Sequence, residues 1–361
     1  MSEREYWLGF STISGIGPAK FKKLLAEFAT AEVAWTSTRP RLVEILGEDS
    51  VGKFEVLRKK FSIKDYVREL KAKDVWYLTL LDEDYPQILK EIKNPPFVLY
   101  GKGDSSLLNN MNTIGVVGAR KTTQYGREVT KLLVADLVLG GLTIISGLAL
   151  GVDAISHMTA LENDGKTIAV LGCGVDCCNP GENQSIYDTI LKSGNCIVSE
   201  FPLGMRPTLW SFPARNRIIA GLSQAVLVTE GAEDSGSLIT AEFALKFNRK
   251  VFAVPGPITS SMSKGPYKLI SKGAKLVANA KDIFDDLKIA RSSSTSPKLK
   301  RAKGDTEEEN LILKLLKNEP MLFDELIRRT KYKSSKLSGA LSLMEIKGLI
   351  SNSAGKYSIG F

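Results

Sequence analysis

GVVGARKT (Gly115–Thr122), SGLALGVDAISH (Ser146–His157), LGCG (Leu171–Gly174) and TEGAEDSGSLITAE (Thr229–Glu242) succeed one another along the chain. Each reads as a strand that runs into a glycine-marked turn. In a parallel sheet the loops leaving the strands' carboxyl ends meet along one crevice, where ligands bind. Glycine lets backbone amides approach an anion closely, and a helix start behind the turn adds a favourable dipole. A row of such turns suits a row of phosphates, which points to a nucleotide or a nucleic-acid strand.

Working outward, VWYLTLLD (Val75–Asp82), TIGVVG (Thr113–Gly118), LTIISG (Leu142–Gly147), TIAVLG (Thr167–Gly172), CIVSE (Cys196–Glu200), AVLVTE (Ala225–Glu230) and KVFAVP (Lys250–Pro255) are short, β-branched and apolar nearly throughout. Strands covered on both faces have this composition. Helical stretches such as REVTKLLVADLVLGG (Arg127–Gly141) separate many of them. Alternating strands and helices imply right-handed crossovers. The expected fold is α/β: an extended Rossmann-like, doubly wound, mostly parallel sheet over residues 69–290.

Residues 1–68 read as a helical domain. Its segment TISGIGPAKFKKLLAEF (Thr12–Phe28) places two glycines in a turn, Pro18 at a first helical position and Phe21, Leu24, Leu25 and Phe28 at helical spacing. This resembles the hairpin of helix-hairpin-helix modules, whose turn amides touch a DNA backbone; a bundle for protein contacts fits the same residues. RSSSTSPKLKRAK, within 291–304, is a basic tether with nothing to build a core. Residues 305–361 read as three helices and a closing hairpin, a winged helix, whose third helix (Ser334–Ile350) carries only Lys336 and Lys347 as basic residues.

The 361 residues carry a formal charge of +9, which favours a polyanionic partner. No apolar run approaches the ~18 residues that span a bilayer, and the start MSEREYWLGF lacks a signal-peptide core, so a cytoplasmic protein without a membrane partner is expected. Cys173, Cys177, Cys178 and Cys196 contain no C-x-x-C pair, and no metal or cofactor is expected.

Arg120 and Lys121 follow a strand that ends at Gly118, so a guanidinium fork onto phosphate is expected there. Ser146 and Gly147 are turn residues. Asp153 sits where it can cap the next helix, and His157, the sole histidine, lies one turn further and reads as a hydrogen-bonded structural group. FPLGMRPTLWSFPARNRIIAGLS (Phe201–Ser223) interleaves Arg206, Arg215 and Arg217 with Trp210, Phe212 and Asn216, an arrangement suited to phosphates and unpaired bases. One of the two rings is expected in the core. No acidic residue occurs between Phe201 and Thr229, so the arginines read as free for a strand on an exposed loop. Ser235, Gly236 and Ser237 form an anion seat at a helix start, supported by Thr240; Glu242 reads as a structural acceptor. Neither G-x-x-x-x-G-K-[ST] nor G-x-G-x-x-G is present, so ATP hydrolysis and hydride transfer lose support.

GVVGARKTTQYG, ISGLALGVDAISH, TIAVLGCGVD, SEFPLG, FPARNRIIAGLS, TEGAEDSGSLITAEFAL and VFAVPGPI together resemble the DprA/Smf family of DNA-processing proteins, over about Tyr85–Ile283. The flanks resemble a sterile-alpha-motif-like or helix-hairpin-helix-like unit in front and a winged helix behind. The resemblance implies a non-catalytic Rossmann domain that binds single-stranded DNA, protects it, and loads RecA during natural transformation and recombination. It also implies a homodimer formed through that domain. Strand-binding roles carry over to Arg120 and to the turns around Gly147, Gly172, Arg215–Arg217 and Ser235–Ser237. After TIAVLGCGVD the family commonly has a tyrosine–proline pair followed by a polar or basic residue; here Cys177, Cys178, Asn179, Pro180 and Gly181 follow, which puts that loop's contact in doubt. The rival reading is a nucleotide-processing enzyme resembling the phosphoribohydrolases, with Glu242 as its acid, although their PGG-x-GT motif is missing.

Overall fold

The computed structural model describes residues 1–290, 304–317, 319–353 and 355–359. Most of the expected basic tether lies outside them. The chain forms two compact units, Met1–Ser292 and Ser293–Phe361.

The first unit is built on a nine-stranded sheet. Its strands are β1 (Trp76–Thr79), β2 (Val98–Gly103), β3 (Thr113–Val117), β4 (Thr143–Ser146), β5 (Thr167–Val170), β6 (Cys196–Ser199), β7 (Ala225–Val228), β8 (Lys250–Ala253) and β9 (Lys275–Leu276), in spatial order β1-β2-β6-β5-β4-β3-β7-β8-β9. From β6 to β9 every pairing is parallel. β2 is antiparallel to both neighbours. Pro95 and Pro96 stand before its first residue, where a missing N–H costs the ladder nothing. β3 through β7 are buried along their whole length, which is why these four- and five-residue strands can be continuous runs of Ile, Val and Thr.

Six helices precede the sheet: α1 (Glu3–Ser11), α2 (Pro18–Phe28), α3 (Ala31–Thr36), α4 (Arg39–Leu46), α5 (Glu48–Lys60) and α6 (Ile63–Ala72). Their aromatic core does not close on itself. Phe21 stacks on Phe97 with ring centroids 4.0 Å apart, and Trp7 meets Phe97 edge-on. Val98 and Tyr100 of β2 join the same cluster. A buried aromatic pair adds about 1 kcal/mol beyond its area, so this seam fixes the helical region on the sheet.

The remaining helices of this unit are α7 (Gln87–Lys90), α8 (Gln124–Leu139), α9 (Val152–Glu162), α10 (Gln184–Lys192), α11 (Ser211–Leu222), α12 (Ser237–Lys246), α13 (Lys264–Ser271) and α14 (Ala280–Leu287). They cover both faces: α11 and α12 pack with one apolar cluster, α8 and α14 with another. β3 has β4 on one side and β7 on the other, both parallel, so the winding reverses direction there. This is the switch point, where an open parallel sheet splits its loops apart.

The second unit holds α15 (Glu307–Leu316), β10 (Met321–Leu322), α16 (Phe323–Thr330), α17 (Ser334–Ile346), β11 (Ile350–Ser353) and β12 (Lys356–Ile359), with sheet order β10-β12-β11. That is a winged helix around a core of Ile312, Leu326, Leu337, Leu341 and Met344. The two lysines of its third helix are engaged: Lys336 pairs with Glu308 at 2.7 Å, and Lys347 with Asp305 at 2.8 Å and Glu309 at 2.7 Å. Among the described residues no helix is long and apolar enough to cross a membrane.

Candidate nucleic-acid interface

At the switch point the loops after β3 and β7 part around a cleft of about 470 Å³. Gly118, Arg120 and Lys121 form one wall, Phe212 and Asn216 a second, and Ser235–Ser237 with Thr240 a third. The cleft brings together three of the four expected turns. The guanidinium of Arg120, exposed, lies 5.2 Å over the ring of Phe212. Among the described residues no group accepts from the amides of Arg120, Lys121 and Thr122, so this turn presents N–H donors as well as two cations. Asn216 Nδ2 donates to Gly236 O at 3.3 Å and ties the second wall to the third. Ser235 and Ser237 hydroxyls are 2.8 Å apart at the start of α12. A smaller cavity of about 90 Å³ adjoins the cleft behind Phe212 and Arg120, with Gly147, Gly172 and Arg215 in its lining.

Several expected contact residues are instead the scaffold of this rim. Arg215 is 4% exposed. It lies on α11, not on an exposed loop, and its Nη1 donates to Gly147 O and, at 2.7 Å, to Val170 O. Those carbonyls end β4 and β5, so one guanidinium joins three elements. Arg217 is also withdrawn: it pairs with Glu200 and donates to Asn94 O at 3.0 Å. The acid that neutralises it stands just outside the stretch that the sequence reading searched. Ser146 is fully buried and donates to Val116 O at 2.7 Å. Gly147 is required for a different reason from anion approach: a Cβ there would lie 1.7 Å from Arg215 Nη1. Its amide is occupied by Asp153.

Asp153 does not cap α9, whose N-cap is Gly151. Its Oδ2 accepts from Gly147 N at 3.1 Å and Ala149 N at 3.4 Å, holding the preceding turn. Burial pushes its carboxyl above the ordinary value, and the charge of Arg215 opposes that shift. His157 is the hydrogen-bonded structural group expected: its Nδ1 pairs with Thr167 Oγ1 at 2.7 Å, fastening α9 to β5. Glu242 is exposed on α12 and takes no part in the lining. Of the two rings, Phe212 is half-buried in the cleft wall and Trp210 is 58% exposed, so neither belongs to the core.

Burial, aided by Arg215, pulls the imidazole of His157 from 6.5 down to about 3. The unfolded chain therefore takes up this proton first as pH falls. The contribution is intact above about pH 6.5 and is lost progressively toward pH 3. At pH 5 the loss is about 2 kcal/mol, at about 1.36 kcal/mol per pK unit. Urea unfolding at pH 7 and pH 5 is expected to show a larger fall for the wild type than for His157→Gln; equal falls would remove His157 from the pH dependence.

Comparison with known proteins agrees with this architecture. The family described as DNA recombination-mediator protein A matches residues 76–288. The DprA winged helix domain matches residues 296–356. The chain belongs to the DprA/Smf family. Protein Smf of Synechocystis is 34% identical over 98% of both chains. The DNA processing protein DprA of Bacillus subtilis is 43% identical over 61% of this chain and 74% of that protein. Among solved structures, DprA of Streptococcus pneumoniae superposes with a TM-score of 0.67 at 35% identity, over 79% of this chain and 98% of that one. DNA processing protein A of Helicobacter pylori, whose structure addresses its single-stranded DNA binding mode, gives 0.53 at 31% identity over 60% and 97%. Membership places the chain among DNA-processing proteins of recombination.

For a DprA/Smf chain, the residue that sequence reading missed is Glu230. It is buried at the end of β7, and its carboxylate accepts from Thr123 N and Thr123 Oγ1, both at 2.8 Å. Glu230 thereby fixes the N-cap residue of α8, whose hydroxyl oxygen in turn accepts from Gly126 N at 3.0 Å. Gly126 was the available signal: a Cβ there would lie 2.1 Å from Glu230 Cδ, so only a glycine admits the acid. Asn179 and Pro180, from the loop after Val175, line the small cavity. Among the described residues no group of three His, Cys, Asp or Glu side chains can hold a metal ion.

Proposed function

We propose that the switch-point cleft holds a single DNA strand by its backbone and by stacking, without sequence readout and without bond cleavage. The observation that carries this is the turn Arg120–Thr122: two exposed cations and unengaged amides face a cleft whose wall is the Phe212 ring. Phosphate neutralisation plus an aromatic platform is how sequence-tolerant strand binding is built. The one carboxylate in the lining, Asp153, is committed to backbone amides, and Glu242, which hydrolysis would need, is outside the lining. The family's Helicobacter pylori member, described by its single-stranded DNA binding mode, supports the choice of ligand. On this reading the contact set is Gly118, Arg120, Lys121, Phe212, Asn216 and Ser235–Ser237. Gly172, Arg215, Arg217, Ser146, Gly147, Asp153, His157 and Thr240 hold it in place. The protein would shield the strand and pass it to the recombinase RecA, as a dimer formed through the sheet domain.

Salt titration tests the central claim. Affinity for an oligothymidine is expected to fall with salt, with a log–log slope of about −0.7 per neutralised phosphate. Affinity that stays level from low to physiological salt would exclude a phosphate-gripping cleft.

A further inference from the structure

α11 has a cavity on each side. Phe212 and Asn216 face the switch-point cleft, whereas Trp210, Ala214 and Arg217 line a second cavity of about 770 Å³. Its far wall is the glycine turn Ile13–Pro18 of the helical region. A third cavity, of about 690 Å³, opens from the same turn toward Lys93 and Lys246. Gly15, Gly17, Pro18 and Arg217 line both, so the two form one trench.

The trench lining carries five cations, Arg206, Arg217, Lys20, Lys93 and Lys246, against one carboxylate, Glu200. Glu200 is consumed by Arg217, and Lys20 is held by Leu46 O and Ser50 Oγ. Arg206, Lys93 and Lys246 make no ion pair among the described residues; Lys246 lies over the Phe243 ring at 5.6 Å. No side chain caps α2, and Pro18 is its first residue, so the amides of Ala19 and Lys20 stay open beside the trench. Between trench and cleft stand Leu209, 91% exposed, and Trp210, 58% exposed, whose ring is set edge-on against Phe201 at 5.5 Å. An oriented, solvent-facing indole between two cationic hollows is a stacking platform.

We propose that the trench is a second segment of the strand path: a DNA strand leaving the switch-point cleft crosses the amino end of α11, stacks a base on Trp210, and lays its phosphates along the Ile13–Pro18 turn toward Lys93 and Lys246. This rests on the reading of the cleft as a strand site and extends it to the helical region. It gives the turn a role in the same ligand, and it makes affinity depend on strand length.

The test uses the full chain at about 0.15 M salt, where charges more than about 8 Å apart are largely screened. Oligothymidines of about 6 and about 20 nucleotides, bracketing the usual site sizes, are compared by fluorescence anisotropy. The triple variant Arg206→Glu, Lys93→Glu, Lys246→Glu is expected to bind the longer strand at least about tenfold more weakly, with a salt slope shallower by about 2. Its affinity for the short strand should stay unchanged. Binding of the longer strand should quench tryptophan fluorescence in the wild type and much less in Trp210→Ala. A triple variant that binds both lengths as the wild type does would overturn the second segment alone, and would leave the trench to a peptide or other partner. A wild type that binds neither length would overturn the cleft reading as well.

Discussion

Arg215→Glu is expected to unfold the protein or to cost it more than about 4 kcal/mol, although the residue sits in the run of arginines most suggestive of DNA contact. The reversal would place a carboxylate against the carbonyl oxygens of Gly147 and Val170, which now accept from the guanidinium. It would also leave Asp153 buried without the cation that opposes its desolvation. Burial pushes Arg215 itself below its ordinary pKa, so the site is already costly and tolerates no loss of a partner. With a typical total stability of about 5–15 kcal/mol, such a loss leaves little folded chain. Arg215→Lys should be milder, because it keeps the charge and loses the planar fork. Thermal unfolding by circular dichroism decides the matter. A variant that melts with the wild type while losing strand binding would return Arg215 to the contact set.

The double variant Arg120→Ala, Phe212→Ala should behave in the opposite way. Arg120 is exposed and Phe212 is only partly buried, so the cost to stability is small beside that of Arg215→Glu. Strand affinity should fall by about 30-fold or more. Loss of one stacking ring accounts for about 1–3 kcal/mol and loss of one phosphate contact for part of the rest. The salt slope should become shallower by about 0.7 through Arg120. Because the two side chains touch, their effects are not expected to add, and the single variants measure the coupling. Anisotropy with a short oligothymidine is the readout. Unchanged affinity in the double variant would move the strand away from this cleft.

Arg120 and Arg215 differ in how far their positions in the sequence tell their surroundings in the fold. The strands from Thr113 to Pro255 announced themselves by β-branched composition, and the glycine turns by their position after them. Arg120 and Lys121 follow the end of β3 closely, and the structure does place both in the lining of the cleft. The places of Arg215 and Arg217 were not legible, because their acceptors are carbonyls of distant strands and a carboxylate one residue outside the interval inspected. Glu230 looked like part of an acidic turn, and it holds Thr123, the N-cap of a helix over a hundred residues earlier in the chain.

Local pattern by itself determined the alternation of strands and helices, the parallel sheet and the winged helix at the end. Periodicity and composition encode which residues are apolar on which face, and that is enough for these. Only tertiary structure decided which arginines are withdrawn as struts and which stay exposed at the rim, since a buried cation is told from a free one by the carbonyls and acids that folding brings to it. It also decided that the helical region shares an aromatic core with β2, so that its glycine turn stands across a trench from Trp210.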